Sequence, residues 1–225
     1  MPGAAFFDLD RTLISRSSSL SLAPAFHRRG LLRRRDRTKA RLAQLVFVRY
    51  GAGTSRVGQT AESAMAFLKG LPVDVMREIV QEAMGSAFRP HVYRDALDLV
   101  ERHRERGERS FIVSAALQEI VDALVAELGL DGGLGSSAEV EDGVYTGRLE
   151  RRLDGKAKAE AIAELAAAEG IDLGESTAYS DSASDVPFLE AVGHPVAVNP
   201  DRRLRAIAAE RSWRVLRFSD KAFPA

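Results

Sequence analysis

The chain has 225 residues, 45% of them apolar, with 32 Lys and Arg balanced by 32 Asp and Glu. That length carries one large domain, or one domain with a modest insertion, and zero formal charge provides no global field for nucleic acid or an anionic membrane. The absence of cysteine excludes disulfides, thiolate metal sites and a cysteine nucleophile. No apolar run reaches the length of a membrane span. The N-terminal apolar stretch lacks a basic flank and is cut at Asp8, so neither anchor nor signal peptide is expected and the default location is the cytoplasm.

Ala4 to Phe7 are apolar without alternation, the pattern of a strand covered on both faces in a parallel sheet, and two aspartates, Asp8 and Asp10, follow at its end. From Ser15 to about Pro90 the pattern is helical. Leu42, Leu45, Val46 and Arg49 recur at helical spacing, as do Ala61, Ala64, Met65 and Leu68. Pro72 suits a helix start, with Met76, Ile79, Val80 and Met84 as the buried face behind it. No strand is expected in this block, which reads as a helical insertion after the first strand.

Beyond Val92, Ala96, Leu97 and Val100 mark a helix ending at Gly107. Ser110 to Ser114 reads as a short buried strand closed by Ser114, followed by a helix carrying Ile120, Val121, Leu124 and Leu128. Ser136 to Leu149 reads as a hairpin turning at Glu141-Asp142-Gly143. An alanine-rich helix is expected from Lys156 to Glu169, a strand over Thr177 to Ser180, and a helix from Val186 to Val192. A strand over Pro195 to Val198, a helix after Asp201 and a last strand in WRVLRF complete the chain. The expected fold is α/β: a Rossmann-like parallel sheet core (1–14 and 91–225) with a helical cap (15–90) inserted after the first strand.

The polar residues at these strand ends form one constellation. Asp8 and Asp10 follow the first strand, Ser114 the second and Asp181 the third, with Asp185 four residues later and Lys156 and Lys158 opening the long helix. Right-handed βαβ geometry gathers such ends on one edge of the sheet, where open α/β sheets hold ligands. Taken singly, each has a plainer role: a strand-end serine, a solvated helix face, or cap carboxylates. Together they make chemical sense. Carboxylates that would repel one another suit a hard divalent cation such as Mg²⁺. Lysine and serine can bind phosphoryl oxygens. A carboxylate beside them can act as a nucleophile, and a second can transfer protons. A calcium-loop reading of DLDRTLI fails because Leu13 stands where that loop requires glycine.

DLDRTLI, followed in order by FIVSA, GKAKAE and YSDSASD, resembles the haloacid dehalogenase superfamily of phosphatases. The helical insertion resembles its phosphoserine-phosphatase-like subgroup. The resemblance spans nearly the whole chain. It implies that Asp8 is the nucleophile, while Asp10 protonates the leaving group and then activates water. It implies Mg²⁺ held by the Asp8 carboxylate, the Asp10 backbone carbonyl and Asp181. Asp185 would orient the metal shell or the lysine, with Thr12 in a supporting place. Ser114 and a lysine would bind the phosphoryl oxygens. The family spacing favours Lys158, with Lys156 close enough to compete. Two positions depart from the family pattern: Ser180 stands where glycine is usual before the fourth-motif aspartate, and Ala115 and Ala116 replace glycines after Ser114.

These readings make the expected activity Mg²⁺-dependent hydrolysis of a small-molecule phosphomonoester through an aspartyl phosphate. A phosphomutase or phosphotransferase and a phosphorylation-receiving signalling domain are the alternatives. Free phosphoserine is not the expected substrate. In phosphoserine phosphatases a glutamate nine residues after the nucleophile meets the ammonium group, and here that position is Ser17, with no carboxylate between Ile14 and Leu32. Residues 27 to 50 hold nine Arg or Lys against Asp36, a local charge of +8. The plain account is a solvated helix face, and an anionic substrate or docking surface is the functional one. Such a segment can also touch an anionic membrane, although nothing in the sequence demands it. His27, His91, His103 and His194 show no ligand spacing and are assigned no metal.

Overall fold

A computed structural model describes residues 1–31 and 65–223. Leu42, Leu45, Val46, Arg49, Ala61, Ala64 and most of the arginine-rich segment therefore lie outside the described residues. The strands are β1 (Ala4–Phe7), β2 (Arg109–Leu117), β3 (Gly132–Glu141), β4 (Val144–Arg151), β5 (Thr177–Ser180), β6 (His194–Val198) and β7 (Arg214–Leu216). They form one sheet in the order β4-β3-β2-β1-β5-β6-β7, parallel throughout except for β4, which runs antiparallel to β3.

The helices are α1 (Ser18–Ser21), α2 (Ala23–Arg28), α3 (Val73–Ala83), α4 (Arg94–Glu105), α5 (Gln118–Leu128), α6 (Lys156–Glu169), α7 (Val186–Glu190) and α8 (Arg202–Glu210). The described elements between β1 and α4 are all helical, a π turn (Met84–Phe88) and a 3₁₀ turn (Arg89–His91) included, as the periodicity predicts.

The sheet separates two cores because successive strand side chains face opposite ways. In β1, Ala5 and Phe7 enter one core with Val100 of α4, Val121 and Leu124 of α5, and Met76, Ile79 and Val80 of α3. Ala4 and Phe6 enter the other, with Ile162 of α6, Phe188 of α7 and Leu204 of α8. All four β1 residues are buried, so the unbroken apolar run has its cause in burial on both faces. Phe7 stacks on Tyr179 with centroids 4.5 Å apart. Truncating it to alanine would cost about 3–5 kcal/mol. The buried His103 bonds the Tyr179 hydroxyl at 2.7 Å and so ties α4 to β5.

Three differences from the sequence reading stand out. β2 does not close at Ser114 but continues to Leu117, with its register against β3 shifting between Val113 and Leu117. β3 begins at Gly132, before the expected Ser136. The glycines that hide this strand from propensity are there for packing: a Cβ on Gly133 would lie 2.4 Å from Val121. The helix over Val186 ends at Glu190. The hairpin turns as expected, with Asp142 (φ 48°) and Gly143 (φ 79°) both left-handed, the two-residue turn that Asp-Gly favours.

Candidate active site

Register brings the motif residues to one edge. Phe7 pairs with Ile112 of β2 and with Tyr179 of β5, so the residues just beyond these positions emerge side by side. The Asp8 N–H donates to the Tyr179 carbonyl at 2.9 Å, extending the ladder by one residue and fixing the Asp8 backbone. Asp8, Ser114, Lys158, Asp181 and Asp185 are all buried, and Asp10 is half-buried.

Lys158 is the hub. Its Nζ donates to Asp8 Oδ1 at 2.6 Å and to Asp185 Oδ2 at 2.7 Å, and lies 5.4 Å from the centre of the Phe188 ring. Lys156, two residues earlier, points to solvent with its side chain 84% exposed and pairs with Glu160. The rotation of α6 decides which lysine turns inward: Lys158, Ile162 and Ala166 share its buried side. Ser180, the departure from the usual glycine, donates from its hydroxyl to Asp185 Oδ2 at 2.8 Å and holds the carboxylate that holds Lys158.

Asp10 is oriented from the insertion side, its Oδ1 accepting the Ser18 N–H at 2.8 Å. The Asp181 carbonyl accepts the Asp201 N–H at 2.8 Å, while Asp201 caps α8 by accepting the Leu204 N–H at 2.7 Å. Ser114 Oγ accepts the Ala116 N–H at 3.1 Å and sits on the strand next to Asp8. The Thr12 hydroxyl is buried with no hydrogen-bond partner among the described residues. Arg11 was not singled out from the sequence, yet its Nη1 lies 3.2 Å from Asp181 Oδ2. An arginine inside D-x-D-x-T carries no periodic signal that could have marked it.

The electrostatics follow from crowding carboxylates in a poorly solvated place. Burial raises the Asp8 carboxyl to about 7, the charges of Asp185 and Asp10 adding to the effect and Lys158 opposing it. Burial, and then the charge of Asp8, raises Asp181 well above its ordinary value, with Arg11 opposing. Burial also raises Asp10. For Lys158, burial works against the ammonium, but Asp185 and Asp8 outweigh it and hold the group charged. Four carboxylates thus share two cations, Lys158 and Arg11, and the site is short of positive charge.

Among the described residues no three carboxylate, imidazole or thiolate side chains converge as a cage for a metal ion. Asp8 and Asp181 together with a backbone carbonyl are the donor set the edge offers. Two carboxylates and a carbonyl are too few oxygens to complete the shell of a hard ion, so they fit one that keeps part of its hydration shell, as Mg²⁺ does. No described helix is long and apolar enough to cross a membrane.

Known proteins resemble this chain along almost its whole length. The family model of the haloacid dehalogenase-like hydrolases matches residues 5–190. A probable phosphatase of Mycobacterium tuberculosis is 42% identical over 216 residues, covering 96% of this chain and 75% of that protein. A phosphoserine phosphatase of the same organism is 36% identical over 220 residues, covering 97% and 71%. The crystal structure of a protein of unknown function from Bordetella pertussis superimposes with a TM-score of 0.82 at 32% identity, covering 96% of this chain and 98% of that one. Matched through β1, β2, α6 and β5 and by relatives along almost its whole length, the chain belongs to the haloacid dehalogenase-like hydrolases.

Proposed function

We propose that the chain is a Mg²⁺-dependent phosphomonoesterase that works through an aspartyl phosphate, with Asp8 as nucleophile. The observation that carries this reading is the buried chain Asp185–Lys158–Asp8 beside Asp181 and Asp10, all at the ligand edge of the sheet. Lys158 occupies Asp8 Oδ1, and the other carboxylate oxygen attacks phosphorus. As the new P–O bond forms, the bond to the leaving alcohol breaks, and Asp10 gives that oxygen its proton. Burial raises the Asp10 carboxyl, which favours the protonated form this step needs. Water then attacks phosphorus, Asp10 takes its proton, and Asp8 is released with orthophosphate.

Asp8, Asp181 and the Asp10 backbone carbonyl would hold the cation, which supplies positive charge opposite the phosphoryl oxygens. Ser114 and Lys158 bind those oxygens directly, Asp185 and Ser180 keep Lys158 in place, and Thr12 supports the loop. Segment 15–90 serves as the cap that excludes water during transfer and opens for release. A relative at 36% identity is named a phosphoserine phosphatase. Here, however, Ser17 is a buried hydroxyl and offers no carboxylate to an ammonium group. The substrate in this reading is a small phosphorylated metabolite other than free phosphoserine.

The test is release of phosphate from p-nitrophenyl phosphate and from a panel of metabolite phosphates, with Mg²⁺ and with EDTA. Steady turnover abolished by EDTA supports the reading. A single stoichiometric phosphorylation would mean a receiver domain, and phosphoryl return to a hexose phosphate a mutase.

A further inference from the structure

We propose that Arg11 is a tethered counter-ion that competes with the divalent cation for Asp181 and thereby sets the metal affinity of the site. The inference rests on the reading that Asp181 is a metal ligand. Arg11 stands between Asp10 and Thr12 with φ +65°, a left-handed conformation that costs a non-glycine residue roughly 1–2 kcal/mol. The loop leaves it no alternative, because the N–H groups of Thr12, Leu13 and Ile14 all converge on the Leu9 carbonyl at 3.0–3.3 Å. That backbone accompanies a guanidinium whose Nη1 lies 3.2 Å from Asp181 Oδ2.

The two ends of this pair differ in freedom. The Asp181 side chain is 6% exposed and held by the strand end, whereas the Arg11 side chain is 29% exposed and borders solvent. Arg11 can therefore leave while Asp181 stays. A Mg²⁺ ion sits about 2.0–2.1 Å from its oxygen ligands, so an ion on the Asp181 carboxylate would repel the guanidinium paired with it at close range. Binding the ion at the Asp181 carboxylate therefore competes with the Arg11 pair. The apparent affinity falls by the fraction of molecules in which the pair is made. The same pair offsets the charge of a buried carboxylate that stands beside Asp8.

This role predicts a direction opposite to ordinary damage. Removing Arg11 removes a competitor and leaves the site more negative, so metal binding tightens while the metal-free protein weakens. The experiment is calorimetric titration of Mg²⁺ into the metal-free chain, with melting curves at zero and saturating Mg²⁺. Arg11→Ala and Arg11→Gly are compared with wild type, glycine being at ease at φ +65° and so testing the side chain without the strain. Arg11→Lys keeps the charge without the fork, and Arg16→Ala removes the same charge from an exposed neighbour.

The Ala and Gly variants should bind Mg²⁺ about tenfold more tightly, which is 1.4 kcal/mol. They should melt lower without the ion, and should gain more from it. Arg11→Lys should fall between, and Arg16→Ala should bind as wild type does. Unchanged or weaker binding in the Ala and Gly variants, or an equal gain in Arg16→Ala, overturns the proposal. Wild type that takes up no Mg²⁺ at millimolar concentration overturns instead the metal reading on which it rests.

Discussion

Replacing Lys158 by alanine is the most informative single change. Its Nζ joins Asp8 and Asp185 at 2.6 and 2.7 Å with the side chain 3% exposed, so removal leaves two buried carboxylates facing each other with their shared cation gone. Breaking a buried charge pair by deleting one partner costs about 3–5 kcal/mol of stability. A second loss falls on catalysis: a charged donor aimed at developing phosphoryl charge is worth about 2.7–4 kcal/mol, or a hundred- to thousandfold in kcat/KM. Lys156→Ala, in contrast, removes an 84% exposed side chain paired with Glu160 and should leave kcat/KM near wild type. The assay is urea denaturation together with kcat/KM on the best substrate of the panel, for both alanine variants and for Lys158→Met combined with Asp185→Asn. The double variant removes the uncompensated Asp185 charge. It should regain much of the stability and little of the activity, which separates folding from chemistry. A Lys158→Ala enzyme within tenfold of wild type, or Lys156→Ala as the more damaging change, would refute the reasoning.

Three further outcomes are expected. Asp8→Asn keeps shape but cannot attack phosphorus, so phosphate release should fall below a few per cent of wild type with the melting curve still cooperative. For pH, the Asp8 carboxyl rises on folding from 3.8 to about 7, and a raised carboxyl contributes stability that is full below its unfolded value and is lost as pH rises through its folded one. The metal-free protein should therefore lose stability relative to Asp8→Asn between pH 4 and 7, and Mg²⁺ should restore it most above pH 7; parallel melting curves for the two proteins across that range would contradict the assignment. Finally, kcat/KM for phosphoserine should trail the best member of the substrate panel, and a tenfold lead for phosphoserine would show that the hydroxyl of Ser17 is no bar.

What the sequence determined by itself was what local pattern encodes. The unalternating run Ala4–Phe7 announced a strand buried on both faces, Asp-Gly announced the hairpin turn, and the long helix from about Lys156 to Glu169 was legible. The order of the four polar motifs, given right-handed crossovers, also sufficed to place Asp8, Asp10, Ser114 and Asp181 at one sheet edge. Tertiary structure decided the rest, for physical reasons. KAKAEAIAELAAAE carries alanine on nearly every side, so no apolar stripe reveals which face turns inward; only docking of Ile162 and Ala166 on the sheet chose Lys158 over Lys156. The start of β3 was masked because Gly133 is dictated by the Val121 side chain across the interface and not by strand propensity. The pairing of Arg11 with Asp181 and of Ser180 with Asp185 was hidden for the same reason. These contacts exist between segments distant in the chain or across a turn whose geometry the fold imposes, and a one-dimensional pattern holds no record of distance in space.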